Sequence, residues 1–389
     1  MQELMFLGLF VLALAIGWFL GRREAIKVGF MLKPNGSAVD RQYFIGLNYL
    51  LNEQPDEAIE TFIRALEVNP ETVETHIAIG KLFCQRGDVE RAIKVHQNLL
   101  ARPNLTAPQA DRVQLELARD YLAVGMHQRA ERLLEELAGS ISLLRADALV
   151  DLVTVYEQQH EWQRAIEIGR RLIREQPQFG VTLAHYHCEM AVAALQQRDV
   201  NQARSWLQAA LKIDDGSVRA MILLAELEEK AGNLKALPSL LQRIAINSPE
   251  FVPEVLALAR RCADNGALNL TSYLDQALAQ PGQPPVKTLL ARAQQMCGER
   301  GREAAEMFML QRLEVQPSVA GVLGLLELRD DGQAQSEVLA PLQLLEVLQR
   351  KRPQYRCEHC GFAGHSLYWQ CPSCQGWSTV KPLKGHELV

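Results

Sequence analysis

The sequence predicts an all-α solenoid, tethered at its N-terminal end by one membrane-spanning helix and finished at its C-terminal end by a small cysteine-held ribbon. Three observations predict it. A turn residue followed five positions later by Ala recurs along the chain, an uncharged apolar run opens the sequence, and two Cys-x2-Cys pairs close it.

The recurring step sets the architecture. Glu53 leads to Ala58, Gly87 to Ala92, Gly125 to Ala130, His160 to Ala165 and Arg198 to Ala203, so successive Ala positions lie 34, 38, 35 and 38 residues apart. A period near 34 is that of the tetratricopeptide repeat, a helix–turn–helix unit that buries its apolar face only by stacking on its neighbours. Within the first unit Gly46 and Tyr49 belong to the first helix, Ala58, Phe62 and Ala65 to the second, and Pro70 ends it. Small residues sit where the helix backbones approach, and Pro stops a helix because it cannot continue one. The next unit repeats the scheme 34 residues on, with Gly80 for Gly46, Phe83 for Tyr49 and Ala92 for Ala58. Later units keep the spacing and lose the Ala: Gly232 leads to Leu237 and Gly266 to Thr271, and a last weak unit runs from Gly301 past Phe308 to Pro317. About eight units are expected within a repeat array over residues 39–350. Pro238, Pro253, Pro281, Pro284 and Pro285 interrupt the later units, as loops or as a bend that splits the array.

The opening run, residues 4–21, carries no charged side chain and is followed at once by Arg22 and Arg23, with Trp18 near that end. At about 1.5 Å per helical residue it covers about 27 Å, the thickness of a bilayer core. Positive charge after the run, and none before it, places the rest of the chain on the cytoplasmic side. A cleaved signal peptide fits less well, since Glu3 and no Lys or Arg precede the run and no small-x-small site follows it. The expected division is a transmembrane anchor at 1–23, a tether at 24–38, the array, and a metal-binding domain at 353–389.

The composition excludes several functions. A net charge of −5 over 389 residues is too small and too mixed for nucleic acid as the principal partner. The array contains no GxxxxGK[ST], GxSxG or HExxH pattern, so binding rather than catalysis is expected, and the protein is not expected to be an enzyme. Repeat arrays present a concave surface that takes extended or helical segments of other proteins. His185, His187 and Cys188 form a mid-chain cluster, but only His185 and Cys188 share a helix face, and packing within a helix pair is the expected role. The single cysteines Cys84, Cys188, Cys262 and Cys297 are expected as small core residues.

The last segment carries the metal chemistry. Cys357-x2-Cys360, ten residues, then Cys371-x2-Cys374 is the spacing of two knuckles that aim four thiolates at one tetrahedral ion. Gly361 and Gly376 follow the two pairs, where the backbone is expected at positive φ. Zinc and iron both accept four thiolates. No flavin or nicotinamide motif accompanies the site, so zinc is favoured, and an iron redox protein stands as the alternative. His359 and His365 are expected to be exposed. Six Lys or Arg against two Glu over residues 350–389, with Tyr355, Tyr368, Trp369 and Trp377, suit docking on an acidic partner, on anionic lipid or back on the array. Such aromatics also commonly serve to cover a metal site.

The anchor ending in Arg22-Arg23, the repeats, and the run Tyr355-Arg356-Cys357 through Lys381-Pro382 with its four cysteines together resemble the lipopolysaccharide assembly protein B (YciM) family of Gram-negative bacteria. The resemblance spans the chain and is most specific at 355–382, where Cys357, Cys360, Cys371 and Cys374 match the family's rubredoxin-like metal ligands. It implies a non-enzymatic inner-membrane adaptor, single-pass with its bulk in the cytoplasm. It further implies control of lipopolysaccharide synthesis by presentation of the deacetylase LpxC to the membrane protease FtsH, and links to lipopolysaccharide-sensing and transport proteins of the membrane. A membrane scaffold for lipopolysaccharide assembly enzymes without a proteolytic role is the alternative. Contact with lipopolysaccharide itself and homo-oligomer formation stay open.

Overall fold

In a computed structural model of the protein, the described residues are 38–52, a few positions between 54 and 62, 73–329 and 352–383. The transmembrane anchor and most of the tether, expected over 1–38, lie outside them, as does the end of the array from 330 to 350. Among the described residues no helix is long and apolar enough to cross a membrane.

The chain divides into two units, residues 1–151 and 152–389. In the first, α1 (Ala38–Leu51) precedes α2 (Val73–Gln85), α3 (Val89–Leu100), α4 (Ala107–Ala123) and α5 (His127–Gly139). Helix α6 (Arg145–Gln158) carries the chain across the boundary. In the second unit follow α7 (Trp162–Leu172), α8 (Gly180–Gln196), α9 (Val200–Ile213), α10 (Val218–Lys230), α11 (Leu237–Asn247), α12 (Val252–Asp264), α13 (Leu270–Leu278), α14 (Val286–Arg300), α15 (Arg302–Val315) and α16 (Val319–Arg329). Within the first unit α2 packs on α3, α3 on α4 and α4 on α5, and within the second each helix from α7 to α16 packs on the next. The first helix of a pair also packs on the first helix of the next pair: α2 on α4, α8 on α10, α12 on α14 and α14 on α16. That is the stacking by which one repeat completes its neighbour's core.

The five-residue step has a backbone cause. Gly87, Gly125, His160, Arg198, Gly232 and Gly266 all stand at positive φ, between 57° and 82°, where the first helix of a pair ends. The N–H after each reaches back to a helix carbonyl, as from Asp88 to Phe83 and from Asp199 to Ala194, so the reversal satisfies groups the helix end leaves open. Five residues on from the first five of these, Ala92, Ala130, Ala165, Ala203 and Leu237 are fully buried, as is Ala58 of the first unit, whereas Thr271, five on from Gly266, is half-buried. The expectation of close approach at Gly46 and Gly80 also holds. A Cβ on Gly46 would stand 2.5 Å from the Phe62 ring, and one on Gly80 would stand 2.3 Å from His96 Nε2. His96 is itself buried and holds Asp120 of α4 at 2.6 Å through Nδ1, tying α3 to α4.

Of the later prolines, Pro281 and Pro284 lie in the loop between α13 and α14, as the loop expectation held, and the other three stand at helix starts. Pro238 and Pro253 lie in the first turns of α11 and α12, and Pro285 caps α14. A helix's first turn has no intrahelical use for the N–H that Pro lacks, so these residues start helices. After Arg352 the chain forms a three-stranded antiparallel sheet in the order β2 (Ala363–Gly364), β1 (Tyr355–Cys357), β3 (Val380–Pro382), with Arg356 opposite Ala363 on one side and Lys381 on the other.

Candidate metal centre and its seat on the repeats

The ribbon is too small for a core of its own. Its buried set is Tyr355, Cys357, Cys371 and Val380, with Phe362, Leu367 and Cys374 packed around them, so two fully buried positions are thiols. All four sulfurs, of Cys357, Cys360, Cys371 and Cys374, lie within 4.8 Å of one another. Two edges of the cluster measure 3.7 Å (Cys357–Cys374) and 3.6 Å (Cys360–Cys371). A tetrahedron with metal–sulfur bonds of about 2.3 Å has edges of about 3.8 Å, so the donor set fits one zinc or iron ion. The surroundings act unevenly on the thiols. The Thr379 hydroxyl, with the backbone N–H groups of Cys360 and His359, brings the Cys357 thiol down to about 6 against the upward pull of burial. Cys360 is likewise lowered, chiefly by the Phe362 backbone. The Gly376 N–H also lowers Cys374, but burial and the other three sulfurs outweigh it and push that thiol up to about 11.

The two knuckles differ from expectation in one detail. Gly361 takes positive φ, 78°, as foreseen, but in the second knuckle the residue at positive φ is Gln375, at 58°. Gly376 is small for another reason: a Cβ there would stand 2.9 Å from the Thr379 side chain, the group that supports Cys357. His359, His365 and Tyr368 are exposed.

Of the three docking surfaces considered, the structure shows the array. Trp377 enters between three repeat residues: it stacks on His185 (centroids 4.8 Å, 24°), meets Tyr186 edge-on at 6.0 Å and meets Trp162 edge-on at 6.3 Å. Its indole N–H donates to Glu157 Oε1 at 3.1 Å, and the same carboxylate accepts from Gln370 Nε2 and from the Tyr186 hydroxyl. Arg219 of α10 lies over the opposite part of the seat, 5.8 Å from the Trp377 ring, and is held by Glu189 at 2.8 Å. Trp369 stacks on Phe251 at 5.8 Å and 17°. Lys381 sits over the same Phe251 ring and 3.8 Å from Glu250. The Tyr355 hydroxyl donates to Glu254 at 2.8 Å, and Lys287 reaches Gln354 at 3.2 Å. Hence Trp369 and Trp377 serve docking, while Tyr355 does both, packing in the cysteine cluster and reaching Glu254 with its hydroxyl.

His185, His187 and Cys188 are buried in α8, as the packing expectation held. What sequence did not reveal is that His185 belongs to the seat: its Nε2 lies 2.6 Å from Ser378 Oγ, 193 residues away. Burial, reinforced by Arg219, lowers His185 to about 3, so the ring is neutral at physiological pH and can share one proton with the hydroxyl. Burial first, then the Glu157 carboxylate, raises Tyr186 and keeps its proton on. Cys188, sealed by burial, is pushed up to about 12 and is no nucleophile. Glu157, Trp162 and Phe251 are single residues on α6, on α7 and just ahead of α12, and only the folded repeats assemble them.

Comparison with known proteins agrees with both parts. Residues 355–382 match the family described as a rubredoxin metal binding domain. Residues 45–103, 115–178 and 188–250 match the tetratricopeptide repeat. Among solved structures, the MamA crystal structure overlays 44% of this chain and 95% of its own at 21% identity and a TM-score of 0.35, a likeness that carries no further argument. Lipopolysaccharide assembly protein B of Haemophilus influenzae is 31% identical over 403 residues, the whole of both chains. The protein of the same description from Escherichia coli K12 is 31% identical over 392 residues, 99% of each chain. On that full-length similarity, the chain belongs to the lipopolysaccharide assembly protein B family.

Proposed function

We propose that the protein is a non-enzymatic inner-membrane adaptor in lipopolysaccharide assembly. The N-terminal apolar run anchors it, the repeats and the ribbon grip the deacetylase LpxC, and the membrane protease FtsH receives that client. The relatives' description supports the pathway, and the full-length similarity supports reading this chain alongside them. The observation that carries the adaptor reading is the ribbon seated across α6, α8, α10, α12 and α14 through Glu157, His185, Arg219, Glu254 and Lys287. A repeat surface braced in this way presents a fixed shape to a protein partner, which lowers the ordering cost of binding. Anchoring beside the protease raises the client's effective concentration there without any new contact to the client. In this reading Cys357, Cys360, Cys371 and Cys374 hold one metal ion, zinc in preference to iron, whose task is to fold the ribbon.

The test is LpxC half-life in cells carrying the intact chain, a chain lacking residues 1–23, or a chain with Cys357→Ser and Cys360→Ser. Longer half-life in both variants, each still accumulating and helical, is expected. An unchanged half-life in both removes the proteolytic role and leaves a membrane scaffold for assembly enzymes.

A further inference from the structure

Where the ribbon meets the first turns of α12, α14 and α16, the surface encloses a cavity of about 100 Å3. Its wall is apolar and stiff: Pro253, Pro285, Val286, Ala320, Pro382 and Leu383. Proline has a fixed φ and no N–H, so such a wall neither collapses readily nor offers donors to water. Cavities of about 150 Å3 lined by apolar groups hold a benzene ring, so this one matches a single leucine-sized side chain.

Charge at the mouth selects what surrounds that side chain. Lys287 and Arg352 line it on one side and Glu254 on the other. Glu254 is engaged by the Tyr355 hydroxyl at 2.8 Å. Lys287 reaches only the neutral amide of Gln354, and among the described residues neither Lys287 nor Arg352 pairs with a carboxylate. The mouth therefore offers two cations to an incoming ligand. Because Gln354, Tyr355 and Pro382 come from the ribbon and Pro253, Val286 and Ala320 from the array, the cavity exists only while the ribbon is docked.

We propose that this seam is a docking site for an acidic peptide segment of a partner protein, which inserts one large apolar side chain between carboxylates that meet Lys287 and Arg352. The proposal deepens the adaptor reading and rests on it for the partner being a protein. The cavity is too small for an acyl chain.

The test is a titration of the full, metal-loaded chain with a fluorescein-labelled seven-residue peptide, one leucine among glutamates, followed by polarisation. Saturable binding is expected, at least tenfold weaker for the peptide with alanine in place of leucine and for the Ala320→Trp protein, whose indole fills the cavity. The Arg352→Glu variant, which removes no contact between ribbon and repeats, guards against a folding failure of the first and is expected to lose at least fivefold, while a lysine-for-glutamate peptide is expected not to bind. Equal affinity for all three peptides, or indifference to both substitutions, overturns the proposal. Binding that emerges only after removal of residues 384–389 makes the chain's own tail the occupant and overturns it as well. A titration that succeeds while LpxC half-life stays unchanged in the cellular experiment retains the peptide site and discards the proteolytic role. The converse pair of results discards only the site.

Discussion

Replacing Glu157 by Leu separates ribbon docking from ribbon folding. One carboxylate accepts three hydrogen bonds, from Tyr186 within the array and from Gln370 and Trp377 of the ribbon. Only the last two are lost on undocking. Hydrogen bonds to a charged acceptor contribute about 1.5 kcal/mol each at the low end, so Glu157→Leu should weaken docking by about 3 kcal/mol. At 1.4 kcal/mol per decade this is roughly a 150-fold fall in the docked-to-free ratio. None of the four cysteines is touched, so metal content should stay at one ion per chain. The assay is hydrogen exchange read on peptides from α8 and from residues 352–383, with metal measured on the same samples. Faster exchange of the α8 face and the ribbon termini, with metal retained, is expected. Native exchange rates with metal retained would refute the claim that this carboxylate holds the seat, and loss of metal would show that docking and metal binding are one event.

Three further outcomes follow from the same geometry. His185 has a folded value of about 3 against an ordinary 6.5, so the unfolded or undocked chain binds the extra proton and stability falls with acidification below pH 6.5. Between pH 8 and pH 5.5 the loss should be about 1.4 kcal/mol, absent in His185→Gln; parallel pH profiles of the thermal midpoint for the two proteins would sink the assignment. Removing the metal with a chelator should unfold the ribbon, since a site of this kind contributes on the order of 10 kcal/mol to so small a segment. Trp369 and Trp377 emission should shift to the red with far-ultraviolet helicity retained, and unshifted emission after verified metal loss would contradict it. Gly80→Ala forces a methyl to within 2.3 Å of the buried His96 ring, an overpacking that typically costs about 1–3 kcal/mol. Denaturant unfolding reads it, and a wild-type midpoint would mean the α2–α3 contact has slack.

The repeats were legible because each local rule points to the same fold. The step from turn to Ala is a statement about one backbone position at positive φ and one buried contact, and both recur at fixed spacing. Even His160 and Arg198, which lack glycine's freedom, were found by register alone. The knuckles were legible for a similar reason, since four thiols at two short spacings leave few geometries. The seat was not. Glu157, His185 and Phe251 are spaced 28 and 66 residues apart, on α6, on α8 and just ahead of α12, and their partners Trp377, Ser378 and Trp369 lie more than 100 residues on. No periodicity encodes such a pairing. The one trace in the sequence was an excess of aromatic and basic residues around the cysteines, which indicated a docking surface without saying on what.

That non-local pairing changes what the array can do. In a bare solenoid each repeat touches only its neighbours, so bending accumulates along the stack and local openings cost little. The ribbon contacts α6, α8, α10, α12 and α14 at once, with Glu157 and Lys287 at the two ends of its footprint. Bending that separates Glu157 from Lys287 must therefore break the Trp377 or Trp369 seat or the Lys287–Gln354 contact. On the proposed reading, a four-thiolate ion would contribute the folding energy of the ribbon, and the bracing of several repeats would then depend on one metal site rather than on improvement of every repeat interface. The decayed later units, where Leu237 and Thr271 stand in place of the buried Ala, are among those the ribbon spans, and there a brace adds most.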